Sequence, residues 1–168
     1  SGGLPLKVLR KGKNMVEQGL VVAARGNFGA RMYQTQGLNN WEKPVEYSHR
    51  LISPHIRMYD GTTTHMPFSL KIVSGLTVPA DGVYGIRGNE KNKCKISVNG
   101  EEIYNNMDEN GIVFEREIRL EAGKTYRLEL RQNVYNVPVH YRAATVFIKR
   151  PGNKDFELAP YDWFTVND

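Results

Sequence analysis

Between Pro67 and Arg150 the chain is a succession of short runs in which apolar and polar residues alternate, each cut off by a Gly, Pro, Asn or Asp turn signal. Successive side chains of an extended strand point to opposite faces, so this alternation describes strands with one buried and one wetted face. PFSLKIVSGLTVP sets Phe68, Leu70 and Ile72 against Ser69, Lys71 and Val73, and Pro79 ends it. VYGIRG places Val83 and Gly85 on one face, Tyr84 and Ile86 on the other. KCKISV presents Cys94, Ile96 and Val98 together, and Asn99-Gly100 is a strong hairpin signal, with Ile103 and Tyr104 opening the return strand. IVFEREIRL reads as one further alternating strand. EAGK turns it into TYRLELRQN, where Tyr126, Leu128 and Leu130 oppose Thr125, Arg127, Glu129 and Arg131.

The rest of the chain follows the same rule less clearly. Leu20 to Ala24 and RMYQTQ read as strands, Gly37 to Ser48 as a polar surface loop holding Trp41 and Pro44, and HRLISPHIRMYDGTTTHM as a bent or edge strand. HYRAATVFIKR and FELAP follow, and YDWFTV docks as a last strand or clip. Nowhere do helix caps and a 3.6-residue period coincide over the length of a stable helix. The expected fold is therefore all-β, an antiparallel sandwich or barrel spanning residues 19–168 as one domain. Residues 1–18 read as a lead-in or linker, with Ser1, Gly2 and Gly3 set aside as an expression remnant.

Composition narrows the function. At 168 residues, 40% hydrophobic and 24% charged, the chain is sized for one core. It has no apolar run of the roughly 20 residues that cross a bilayer as a helix, and its start lacks an apolar leader, so no membrane partner is expected. The net charge of +5 is spread along the chain and reads as a solvated surface, not as a nucleic-acid site. Cys94 is the sole cysteine, which excludes an intramolecular disulfide and a thiolate zinc site.

No catalytic constellation emerges. His49, His55, His65 and His140 are scattered, the acidic pairs Glu101-Glu102 and Asp108-Glu109 sit at turns, and Ser74 and Ser97 lie in strand patterns. GNFGA, Gly26 to Ala30, precedes no helix and is a turn, not a phosphate loop. Aromatics are the remaining lead, because sugar rings stack their C–H faces on exposed Trp and Tyr. Trp41, beside Asn39 and Asn40, is the foremost candidate for a stacking platform, with a structural anchor as the alternative reading; Tyr104, Tyr135 and Tyr141 are secondary, and Trp163 reads as an anchor.

The ordered series from Gly75 to Pro79, Asp81-Gly82, Val83-Tyr84, Ile96 to Gly100, Leu120 to Tyr126 and Ala144 to Pro151 resembles the PA-14 domain. This β-sandwich module is found appended to bacterial glycoside hydrolases and adhesins. The resemblance implies a non-catalytic carbohydrate-binding or accessory module of a secreted bacterial glycoside hydrolase, such as a β-hexosaminidase. It also implies an oligosaccharide or polysaccharide partner, a covalently linked catalytic domain, and a secreted, periplasmic or cell-surface location. In the family the loop after the Val-Tyr strand carries acidic residues, which hold calcium in some members. Here it reads Gly88, Asn89, Glu90, Lys91, Asn92, Lys93, a poor calcium cradle, so no cofactor is expected. Asn89, Glu90 and Asn92 remain candidates to hydrogen-bond hydroxyls. The alternative is a structural or protein-interaction sandwich whose ligand loops have degenerated.

Overall fold

A computed structural model describes residues 29–43, 47–51, 54, 67–135 and 144–166. The strands within them are β1 (Ala30–Gln36), β2 (Tyr47–Leu51), β3 (Phe68–Leu76), β4 (Gly82–Arg87), β5 (Cys94–Val98) and β6 (Glu101–Asn105). They continue as β7 (Phe114–Glu115), β8 (Ile118–Leu120), β9 (Tyr126–Val134), β10 (Phe147–Lys149), β11 (Glu157–Leu158) and β12 (Phe164–Thr165). Among the described residues the one helical element is a 3-10 turn, Tyr161–Trp163. The expected strand Leu20 to Ala24, the division at residue 18, His55, His65, His140 and Tyr141 lie outside the described residues.

The strands form two antiparallel sheets. The 8-stranded sheet runs β2-β1-β3-β9-β5-β6-β7 with β12 beside β3, and the 4-stranded sheet runs β11-β10-β4-β8. Side chains from both meet in one core: Met32, Phe68, Leu70, Ile72, Cys94, Ile96, Leu128 and Leu130 from the large sheet, Tyr84, Ile86, Leu120 and Ile148 from the small one. The alternation in β3, β4, β5 and β9 therefore assigns the buried face as expected. Trp163 closes one end of this core, meeting the Tyr84 ring edge-on at 6.0 Å and 85°, while its carbonyl accepts the Thr77 amide at 2.8 Å.

The β5–β6 hairpin turns at Asn99 and Gly100, with φ of 50° and 83°, the left-handed pair that a two-residue turn matching strand twist requires. The Asn99 Oδ1 accepts the Arg127 amide at 2.7 Å, and the Asn99 amide donates to the Arg127 carbonyl at 2.8 Å. The turn is thereby stitched to β9.

One expected strand is two. Ile112 to Leu120 divides into β7, on the edge of the large sheet beside β6, and β8, on the edge of the small sheet beside β4. A chain crossing between layers keeps the same alternation as a continuous strand, so the pattern does not reveal the switch. Ile112, Val113 and Phe114 are consequently exposed, at 68%, 51% and 46%.

Gly88 lies where β4 leaves its sheet, and a Cβ there would overlap the Cys94 Sγ and touch the Tyr104 ring. Overpacking of this kind costs about 1–3 kcal/mol. Gly88→Ala is expected to lower the denaturation midpoint accordingly, and Gly88→Ala/Cys94→Ala to recover part of the loss. Strictly additive effects in urea unfolding would overturn the overlap account.

Candidate functional site

β4 delivers its chain into the loop 88–93, and that loop is built on asparagines. Asn89 Oδ1 accepts the Lys91 amide at 3.0 Å, and the Asn89 carbonyl accepts the Asn92 amide at 3.0 Å. Asn92 is 6% exposed. Asn106, which follows β6, clamps the loop from below: its Nδ2 donates to the Asn92 carbonyl at 2.8 Å, and its Oδ1 accepts the Cys94 amide at 2.7 Å. Asn92 thus sits inside the loop as a structural residue, whereas Glu90 points outward and is exposed.

Beside this loop lies a cleft of about 440 Å³. Asn89, Glu90 and Lys91 form one wall, Tyr104 of β6 and Glu115 of β7 another, and Phe147 of β10 with Phe156 a third. Arg87, the last residue of β4, crosses the cleft. Its Nε donates to Glu115 Oε2 at 2.7 Å, and its guanidinium stacks 4.0 Å from the Phe156 ring centroid. The hydrogen bond to Glu115 raises the Arg87 pKa despite the opposing effect of burial. Burial first, then the neighbouring Cys94 and Glu115, push the Tyr104 hydroxyl up to about 12, so it is a neutral phenol at physiological pH. Burial likewise pushes the Cys94 thiol up to about 12, which keeps it an inert core residue.

The structure brings together Asn89, Glu90 and Tyr104 from the expected set and leaves Trp41 elsewhere. Trp41 is not an open platform: it is 8% exposed, its indole Nε1 donates to the Leu70 carbonyl at 3.0 Å, and the Lys95 ammonium and Arg131 guanidinium lie 5.2 and 5.9 Å from its ring centroid. The polar loop pattern could not show this, because what covers the ring comes from β5 and β9. Arg87, Glu115, Phe147 and Phe156 are cleft residues that the sequence reading missed. Three sit on strands far apart in the chain, Phe156 just before β11, and none carries a local signal.

On the outer side of the large sheet Glu129, 7% exposed, is held between Arg127 and Arg131. The Arg127 Nη1 donates to its Oε1 at 2.8 Å. Burial alone would raise the Glu129 pKa, but hydrogen bonds from both arginines and their charges bring it below its ordinary value. Among the described residues no group of His, Cys, Asp and Glu side chains is placed to hold a metal ion.

Comparison with known proteins bears on the fold. Residues 59–139 match the family model described as the PA14 domain. Among solved structures, an anti-sigma factor domain-containing protein superposes with a TM-score of 0.67 at 13% identity, covering 83% of this chain and 49% of its own. The PA14 domain of the MpAFP antifreeze protein gives 0.57 at 8% identity, covering 82% and 89%. The epithelial adhesin 9 A domain from Candida glabrata, solved in complex with Galb1-3GlcNAc, gives 0.54 at 12% identity, covering 82% and 88%. No curated protein matches the sequence. The chain spans about half the length of the first of these structures. The fold is that of an antiparallel β-sandwich. More specifically, residues 59–139 are similar to the PA14 domain, and the described fold superposes on a solved PA14 domain.

Because the folded-state pKa of Glu129 is depressed, its contribution to stability is fully present above its ordinary value near 4.5 and is lost as pH falls through the lower folded value. Glu129→Gln should cost about 1–2 kcal/mol at pH 7 and cost less below pH ~4. Thermal melts of both proteins across pH 3–7 read this; a pH-independent difference would contradict it.

Proposed function

We propose that the chain is a carbohydrate-binding module and that the cleft between the loop 88–93 and Phe156 is its ligand site. The observation that carries this reading is the convergence there of hydroxyl-reading groups, Asn89, Glu90, Glu115 and Tyr104, with the Phe147 ring and with the Arg87 guanidinium stacked on Phe156. Sugar recognition needs both chemistries within one concavity. The glycan held by the superposable adhesin domain supports the same partner class. Arg87 and Glu115, already paired, offer a pre-oriented donor and acceptor that need little reorganisation on binding.

Calcium has no part in this reading. Glu90 is flanked by Lys91, Asn89 Oδ1 is committed to the Lys91 amide, Asn92 is buried, and Glu115 is committed to Arg87. That donor set does not supply the several carboxylates a calcium ion takes. Attachment to a secreted glycoside hydrolase, and with it an extracellular or cell-surface location, remains the parent architecture this reading favours. No helix among the described residues is long and apolar enough to cross a membrane. A second reading, a protein-interaction sandwich, draws on the exposed Ile112, Val113 and Phe114 at the β7 edge.

A glycan array run with the whole chain, with calcium and with a chelator, tests the assignment. Binding is expected in both conditions. Glu90→Ala should weaken it by about tenfold, one lost charge-assisted hydrogen bond, with an unchanged melting temperature. Trp41→Ala should instead destabilise the fold, by about 3 kcal/mol for a buried Trp. Binding that survives Glu90→Ala intact would remove the cleft from consideration, and no binding to any glycan would favour the second reading.

A further inference from the structure

The outward-facing side of the large sheet is basic in a pattern that only the strand order creates. Register places Tyr33 beside Lys71, Lys71 beside Arg131 and Arg131 beside Lys95, so one row crosses β1, β3, β9 and β5 and carries three cations. Arg31 opposes Val73, and Arg127 opposes Gly75. Since β1 and β9 flank β3 at a strand spacing of about 4.8 Å, these two arginines stand on either side of the Val73–Gly75 floor. Like charges on directly neighbouring strands are mutually repulsive; Glu129 between Arg127 and Arg131, and Glu42 at 3.3 Å from Arg131, offset part of this, while Lys71 and Lys95 add to it.

Two depressions run along this surface. One, of about 340 Å³, is lined by Arg31, Tyr33, Val73, Gly75, Thr125 and Arg127. The other, also about 340 Å³, is lined by Lys95, Ser97, Glu102, Glu129, Arg131 and again Arg127. Arg127, with its side chain 58% exposed, joins them into one track. A Cβ on Gly75 would reach within 2.8 Å of the Thr165 Oγ1, so a side chain there would partly fill the first depression.

The geometry points to this track as a docking surface for a linear acidic polysaccharide, its carboxylates or sulfates engaged by Arg31, Lys71, Arg127 and Lys95 and its hydroxyls by Thr125 and Ser97. Guanidinium groups suit bidentate contact with such anions, and charge complementarity selects the partner. The aromatic rings on this side are engaged: Lys71 lies 5.5 Å from the Tyr33 centroid, Trp41 is covered by Lys95 and Arg131, and Tyr126 is packed against the core with its hydroxyl accepting the Glu121 amide. Single-stranded nucleic acid needs open aromatic platforms on which bases stack. An anionic bilayer is matched best by exposed apolar side chains among the cations, and none of the large exposed apolar residues falls among the residues lining either depression. The track shares no residue with the cleft beside the loop 88–93, so the two assignments stand or fall separately.

The test is titration calorimetry of the whole chain against polygalacturonate and dextran sulfate oligomers, with neutral dextran, a single-stranded DNA oligomer and phosphatidylserine vesicles as comparators. Binding to at least one acidic polysaccharide is expected, weakened by added salt, absent with dextran, and tighter than to DNA or vesicles. Lys71→Gln/Lys95→Gln and, separately, Arg31→Gln should each weaken it by about tenfold or more, with melting temperatures checked on both. Glu90→Ala should leave it unchanged. The proposal is overturned by failure to bind either acidic polysaccharide, by DNA or vesicles binding as tightly, by insensitivity to both folded variants, or by loss of binding in Glu90→Ala.

Discussion

The ladder between β3 and β9 runs the full 9-residue length of each strand, from Phe68 opposite Val134 to Leu76 opposite Tyr126. Every other part of the domain is referred to it. β1 and β12 pair with the free edge of β3, β5 pairs with the free edge of β9, and β5 carries the hairpin to β6 and β7. Its inner residues, Phe68, Leu70, Ile72, Leu128 and Leu130, are completely buried and form the floor on which the small sheet packs. Register across such a ladder is strongly specified, since a slip of one residue would turn that whole apolar set outward.

The two faces of the ladder serve different ends. The inner face supplies burial, at roughly 25 cal/mol per Å² of apolar surface removed from water. The outer face of β9 carries Arg127, Glu129 and Arg131, and pairing sets Lys71 of β3 beside them. Glu129 between two arginines holds that arrangement together, and Trp41 seals the ladder from the same side through its bond to the Leu70 carbonyl. The cleft, in contrast, lies at the far end of the sheet order, where β6 and β7 approach β4 and β10. There the large and small sheets each contribute one side of a concavity.

How much of this was legible varied with the range of the interaction. The buried faces of β3, β4, β5 and β9, the Asn99-Gly100 turn and the docking of the terminal Trp163-Phe164 segment follow from local pattern and turn chemistry. The PA-14 resemblance and the candidacy of Asn89, Glu90 and Tyr104 also came from neighbouring residues. The reading failed where a residue's environment is made by distant chain. Of the two readings of Trp41, platform and anchor, polar neighbours in sequence could not choose; the cations of β5 and β9 that cover the ring make it an anchor. Ile112 to Leu120 looked like one strand because alternation survives a change of sheet. Asn92 looked like a ligand residue, but Asn106 holds its carbonyl inside the loop.

The sequence by itself determined the class of fold and which side of β3, β4, β5 and β9 is buried, because strand periodicity is a property of consecutive residues. Which strands are neighbours, and so which side chains converge, was decided only by tertiary structure. Pairing joins Lys71 to Arg131 within the large sheet, and the packing of the two sheets brings Glu115 of one to Arg87 of the other, which no local window contains.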